Sequence, residues 1–268
     1  MTSAIDAMPV TVDLSGKTCL VTGAAGGIGS AVSAAFLKAG ANVLATDLHS
    51  SQQMQNLVEL SGGQLQFFEH DLCKDADLES CIERTGYEGA NVLFNNAGVA
   101  GPENFPNESF EQWTYILDVN LNGVFNMCNE VWPLMVKAGG GNIVNMSSGA
   151  STFGFSEHIF NTTGRMPPAA YSVAKAGVDA FTRYSASKGG KFNIRVNGVR
   201  PGQILTPMTN REGKGEHGLK KFFDVLQILE GTGYPDDIAN AVLFLSCNDS
   251  RFITGEIMNI DGGLPSKL

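Results

Sequence analysis

Between residues 17 and 260, short runs of apolar, often β-branched residues alternate with longer helical patterns, and this alternation restricts the fold more than any other property of the chain. The runs fall at 17–22, 42–47, 64–69, 91–95, 142–146, 194–199 and 256–260; the helical patterns fall at 28–39, 51–60, 75–84, 110–136, 169–187 and 236–245. Continuous apolar runs suit strands buried on both faces. Their alternation with helices implies right-handed crossovers, which make the strands parallel and cover the sheet on both sides. The expected fold is α/β: a doubly wound, seven-stranded parallel sheet with helices on both faces. No internal repeat or low-complexity linker interrupts it, so residues 15–268 read as one domain and residues 1–14 as a flexible arm.

The composition narrows the function classes. With 43% hydrophobic and 17% charged residues the chain can bury a large core, and its formal net charge of −9 repels nucleic-acid backbones. No run of apolar residues is long enough to span a bilayer, and residues 1–13 lack the basic and apolar regions of a secretion signal, so a cytoplasmic location without membrane association is expected. The five cysteines are scattered, with no CxxC pair, as in a reduced compartment. His49, His70 and His217 show no metal-ligand spacing, and no metal is expected.

The first strand leads into Thr22-Gly23-Ala24-Ala25-Gly26-Gly27-Ile28-Gly29, followed at once by a helix. Such a turn brings bare backbone against a pyrophosphate and aims helix N–H groups at it. Asp47 ends the second strand, 18 residues beyond Gly29. A carboxylate there accepts hydrogen bonds from a ribose 2′-hydroxyl and repels a 2′-phosphate. The glycine turn carries no Arg or Lys and Leu48 follows Asp47, so the pattern points to NAD rather than NADP.

At this point the chain resembles the short-chain dehydrogenase/reductase family over about residues 15–263. The glycine turn fits the family's TGxxxGxG and also the TGxxGxxG of a longer branch, but the chain has no room for that branch's added C-terminal domain. Asp71-Leu72 resembles the adenine-contacting pair, and Asn95-Asn96-Ala97-Gly98 the family's NNAG. Asn120 matches the active-site asparagine, and Ser148, in Asn145-Met146-Ser147-Ser148, the catalytic serine. Pro201-Gly202-Gln203-Ile204-Leu205-Thr206 is similar to the segment that meets the nicotinamide. The resemblance implies a Rossmann fold, with cofactor contacts from Gly23, Gly27, Ile28, Gly29, Asp47, Asp71, Leu72, Asn96, Ala97, Gly98, Tyr171, Lys175, Pro201, Gly202, Ile204 and Thr206. It also implies a homotetramer, or else a dimer, joined through helices 110–136 and 169–187.

Two segments read Tyr-x-x-x-Lys: Tyr171–Lys175 and Tyr184–Lys188. Either sets the two side chains one helical turn apart. The second is the better literal match, but spacing selects the first. Asn197 of Ile194-Arg195-Val196-Asn197 lies 26 residues after Tyr171 and only 13 after Tyr184, too few for a long helix, a turn and most of a strand. By the family pattern Tyr171 is the acid/base, Ser148 holds the substrate oxygen, Lys175 holds the nicotinamide ribose and lowers the phenol pKa, and Asn120 anchors a water that links Lys175 to solvent. A cation at about 4 Å is worth roughly 4 kcal/mol at an effective dielectric near 20, about three pKa units.

The stretch from Ser148 to Tyr171 spans 23 residues, where the family has about a dozen. Loops 151–168 and 202–233 both follow strands at their carboxyl ends, where ligands bind in open α/β sheets. The extra residues, 156–167, either wall the substrate pocket or form a surface excursion. If they wall it, Phe153, Phe155 and Phe160 favour an apolar or cyclic substrate, and His158 or Arg165 meets a polar group on it. In the second loop Met208, Phe222, Phe223, Leu226 and Leu229 either close over substrate or pack as core. The expected activity is hydride transfer between NAD and a secondary alcohol or ketone. An epimerase or dehydratase of the same fold, or a non-catalytic dinucleotide sensor or scaffold, remain alternatives; the sensor reading conflicts with the joint presence of Ser148, Tyr171 and Lys175.

Overall fold

The computed structural model describes residues 12–74, 78–87, 89–210, 213 and 215–264. Seven strands, β1 (Thr18–Thr22), β2 (Asn42–Asp47), β3 (Leu65–Glu69), β4 (Val92–Asn95), β5 (Gly141–Met146), β6 (Ile194–Pro201) and β7 (Ile257–Ile260), form one parallel sheet in the order β3-β2-β1-β4-β5-β6-β7. All seven expected strands are present. The order reverses between β1 and β4, which opens a crevice at the carboxyl ends of these two strands, the place where such sheets hold ligands.

Strand alternation sends successive side chains to opposite faces. Cys19, Val21, Val43 and Ala45 enter one core with Val32 and Phe36 of α1 (Gly27–Lys38) and Ile238 and Val242 of α9 (Pro235–Ser246). Leu20, Leu44, Leu93 and Ile143 enter the other, with Met127 and Val131 of α5 (Gly123–Lys137) and Val178 of α7 (Ala169–Gly189). Both faces of the central strands are therefore dry, which is why their sequences read as unbroken apolar runs. α2 (Gln52–Leu60), capped by the Ser51 hydroxyl, sends Met54 into the first core, and α3 (Leu78–Thr85) sends Ile82 into the second. No helix among the described residues is long and apolar enough to cross a membrane.

Three expectations change in detail. The helix expected over 110–136 is α4 (Phe110–Leu117), a π turn over Asp118–Asn122, and α5. The wider turn buries the Asn120 side chain, whose amide donates to the Ile116 carbonyl of the preceding turn and to the Val99 carbonyl, both at 2.9 Å. Insertions of this kind recur at functional sites. The arm expected over 1–14 is tied down where it is described: Leu14 is buried in the core and its N–H bonds the Ala39 carbonyl at 2.8 Å. Residues 1–11, residues 75–77 of the expected third helix, positions 211, 212 and 214 of the second loop, and the last four residues lie outside the described residues. The long loops contain two further helices, α6 (Glu157–Thr163) and α8 (Lys220–Leu226).

Candidate active site

The crevice widens into a cavity of about 750 Å³, running from the glycine turn across the carboxyl ends of β1, β4, β5 and β6 to the two long loops. Its first wall is the turn itself. Gly23 has φ +62°, and a Cβ there would lie 2.7 Å from the Ala97 Cα; a Cβ on Gly29 would strike the Gly23 carbonyl oxygen. Gly29 is thus buried behind the turn, where it allows helix and turn to pack closely, while Gly23, Gly27 and Ile28 face the cavity. The Asn96 amide donates to the carbonyls of Thr22 (3.1 Å) and Gly23 (2.9 Å), and the Thr22 hydroxyl accepts the N–H groups of Asn96 and Ala97. β4 thereby holds the turn in shape.

Asp47 does not cap α2, since Ser51 does. Its carboxylate accepts the Ala25 N–H at 3.0 Å and the Leu48 N–H at 2.8 Å, and it lines the cavity. Asp71 and Leu72 line the same end. Lys74, 3.0 Å from Asp71, and the Cys73 N–H hold the Asp71 carboxyl below its ordinary range. A bare-backbone cradle at a helix N-terminus, with a carboxylate at the end of β2, fits the pyrophosphate and ribose of a dinucleotide. Ala97, Gly98, Pro201, Gly202, Ile204 and Thr206 continue that wall.

At the middle of the cavity Asn120, Ser148, Tyr171 and Lys175 come together. Ser148 sits where β5 ends and a single 3₁₀ turn over Gly149–Ser151 begins. Tyr171 and Lys175 occupy the first turns of α7 on one face, with the Lys175 Nζ 5.7 Å from the center of the Tyr171 ring. Nζ donates to the Met146 carbonyl at 2.9 Å. A Cβ on Gly98 would lie 2.7 Å from the Asn120 Oδ1 and 3.6 Å from Nζ, so only glycine leaves these two groups room to approach. Burial lowers the Lys175 pKa from 10.5 to about 8, against the opposing pull of Asp179. Burial likewise raises the Tyr171 phenol, while a hydrogen bond with Ser148 lowers it. Of these two influences on the phenol, burial is the larger. Tyr184 is 63% exposed on the outside of α7, with the Lys188 Nζ 5.2 Å from its ring center.

The far wall comes from the two loops. Phe153, Phe155, Phe160 and Arg165 line it from the first, and Met208, His217, Leu219 and Phe223 from the second. Phe153, Phe155, Phe222 and Phe223 form one aromatic cluster, with ring centers 5.2–5.7 Å apart in the contacting pairs. Ile159 of the insertion packs against the same cluster, so the insertion lies on α8 rather than standing clear of the molecule. His158 lies apart from the cavity wall, exposed on α6. Met208 is half-exposed at the rim.

His217 occupies the wall, and sequence reasoning assigns it no role there. Its Nδ1 accepts the Leu219 N–H at 3.0 Å, its ring meets Phe223 edge-on, and burial together with Arg165 lowers its pKa to about 4. Only its nearness to Phe222-Phe223 hints at this in sequence.

Comparison with known proteins agrees with this geometry. A family model described as enoyl-(acyl carrier protein) reductase matches residues 23–265. The chain is 36% identical over 261 residues to the 3-oxoacyl-[acyl-carrier-protein] reductase FabG of Thermotoga maritima, covering 94% of this chain and 98% of that one. It is 34% identical to the D-threitol dehydrogenase of Mycolicibacterium smegmatis, with 95% of each chain covered. Among solved structures, a Burkholderia xenovorans protein described as a short-chain dehydrogenase/reductase superposes with TM-score 0.81 at 32% identity, covering 93% of this chain and 96% of its own. An Agrobacterium tumefaciens protein described as a 2-deoxy-D-gluconate 3-dehydrogenase, with NADP bound, superposes with TM-score 0.81 at 26% identity, covering 95% and 98%. The chain belongs to the short-chain dehydrogenase/reductase family of oxidoreductases.

Proposed function

We propose that this protein is an NAD-dependent dehydrogenase or ketoreductase acting on a secondary alcohol or its ketone, of apolar or cyclic character, with Tyr171 as general acid/base. The convergence of Ser148, Tyr171 and Lys175 at the middle of the cavity carries this reading, because a mere dinucleotide sensor has no use for a phenol held beside an ammonium. Bound nicotinamide supplies the hydride acceptor or donor. The Ser148 hydroxyl orients the substrate oxygen toward the phenol. The Tyr171 Oη takes the hydroxyl proton during oxidation and returns it during reduction. Lys175, fixed by the Met146 carbonyl, places positive charge beside the phenol and favors its ionized form. Asn120, held by three bonds to Val99 and Ile116, stands next to Lys175 on the path by which the proton reaches solvent.

The Asp47 carboxylate, with no basic residue in the glycine turn, supports NAD over NADP. The aromatic far wall supports a substrate with a ring or an apolar body. For assembly we assign a homotetramer, or else a dimer, through α4, α5 and α7. These helices expose Phe110, Tyr115, Phe125 and Val173, apolar side chains whose contact with water such an interface removes. The functional test is the appearance of reduced nicotinamide absorbance when the protein, NAD and a panel of steroid, cyclic, aromatic and sugar alcohols are mixed. Net reduction of NAD by a ring-bearing alcohol is expected. Absence of any net reduction, with isomerized or dehydrated product instead, points to an epimerase or dehydratase and overturns the proposal.

A further inference from the structure

Behind the catalytic lysine lies a second, buried charge pair. Asp179, one helical turn beyond Lys175 on α7, meets Arg200 near the end of β6, with Nη2–Oδ2 at 2.6 Å and side chains 6% and 13% exposed. The same Oδ2 accepts the Ser151 hydroxyl at 2.7 Å, and Arg200 Nε donates to Ser151 Oγ at 3.0 Å. Arg200 Nη1 donates to Asn259 Oδ1 on β7 at 2.8 Å. Asp179 Oδ1 is buried with no hydrogen-bond partner among the described residues.

Four pieces of the site meet at this pair: the 3₁₀ turn that follows Ser148, the helix bearing Tyr171 and Lys175, the strand end that leads into Pro201-Gly202, and β7. A buried ion pair is a poor source of stability, since apolar replacements of equal volume are often as stable or more so. Its placement here therefore calls for another role.

Among the described residues, few groups face Lys175. On its own helix they are Tyr171 and Asp179. From β5 it meets the Met146 carbonyl, and from the π turn and the end of β4 it meets uncharged Asn120 and Gly98. Arg200 of β6 acts on it through Asp179.

We infer that Asp179 and Arg200 are positioning residues of the hydride-transfer site, clamping the Ser148 turn to the Tyr171/Lys175 helix and keeping the Lys175 ammonium charged in its dry surroundings. The inference rests on the reaction proposed above. Its electrostatic half is nevertheless testable without turnover: the Tyr171 phenol is titrated as the ultraviolet difference between each protein and its Tyr171→Phe counterpart. Two backgrounds are compared with the parent chain, Asp179→Asn and the charge-free pair Asp179→Leu with Arg200→Met.

Removing a negative charge makes both proton losses from the Lys175–Tyr171 pair easier. The phenol titration is expected to move to lower pH by about half to one unit in Asp179→Asn, and in the same direction but less in the charge-free pair. Once a substrate is in hand, kcat is expected to fall about tenfold or more in both with KM little changed, while the charge-free pair melts within a few degrees of the parent. If Asp179→Asn does not fold, the charge-free pair decides alone. A phenol titration superimposable on the parent's, or parental kcat in the charge-free pair, overturns the inference. A chain that oxidizes no alcohol but shifts its phenol titration keeps the electrostatic role and sinks only the proposed reaction.

Discussion

The Asp47 carboxylate accepts the Ala25 N–H at 3.0 Å, so the residue proposed to meet a ribose also clasps the glycine turn. Asp47→Asn keeps an oxygen for that bond and discards the charge. The ratio of NADP to NAD affinity is expected to rise about tenfold, the effect of roughly 1.4 kcal/mol of relieved repulsion. Dissociation constants from quenching of protein fluorescence check this. An unchanged ratio removes Asp47 from cofactor selection.

Lys175 is buried at a cost that its function justifies. Its folded pKa, about 8, lies below the ordinary 10.5, so the native state binds fewer protons than the unfolded chain between these values and stability rises with pH across that window. Lys175→Met is expected to abolish turnover yet to stabilize the fold at pH near 7 by about 1–3 kcal/mol, net of the bond lost to the Met146 carbonyl. That advantage shrinks toward pH 10. Denaturant unfolding of both proteins at the two pH values measures it; a variant less stable than the parent at neutral pH contradicts the account.

His217 gives the opposite end of the pH range its signature. Its folded pKa of about 4 lies below the ordinary 6.5, so the native state again binds fewer protons, and stability is lost as pH falls through this window. Melting temperatures taken from pH 6.5 down to 4 are expected to fall less steeply in His217→Gln than in the parent. Equal slopes show that His217 protonates without disturbing the wall.

Phe155, just ahead of the insertion, packs on Phe222 of α8, with ring centers 5.4 Å apart. Phe155→Ala is expected to raise KM for a ring-bearing alcohol about tenfold, the scale of a lost aromatic contact, and to leave short acyclic alcohols nearly unaffected. Steady-state kinetics with one substrate of each kind tests this, and an equal change for both separates Phe155 from specificity.

What the sequence discloses and what it conceals follow from the range of the interactions concerned. The central strands are legible because they are dry on both faces, and the glycine turn because Gly23 and Gly29 occupy positions where a Cβ has no room. That Tyr171 rather than Tyr184 lines the cavity is legible from the spacing to β6, since a helix of fixed rise must reach it. The break in the helix at Asn120 is not, because it depends on the Val99 carbonyl, 21 residues away. Nor is the place of His217 at the wall, or the outward position of His158, because both are set by how two loops pack on each other through Phe153, Phe155 and Phe222. The desolvation of Tyr171 and Lys175 is likewise a property of the assembled cavity rather than of the Tyr-x-x-x-Lys spacing.

The most direct measurement is kcat/KM for a ring-bearing secondary alcohol with NAD, in the parent and in Tyr171→Phe, beside the NAD dissociation constant of each. The account predicts a fall of about 10²–10⁴-fold in kcat/KM with dinucleotide affinity nearly unchanged. Turnover by the phenylalanine variant within a few-fold of the parent contradicts it.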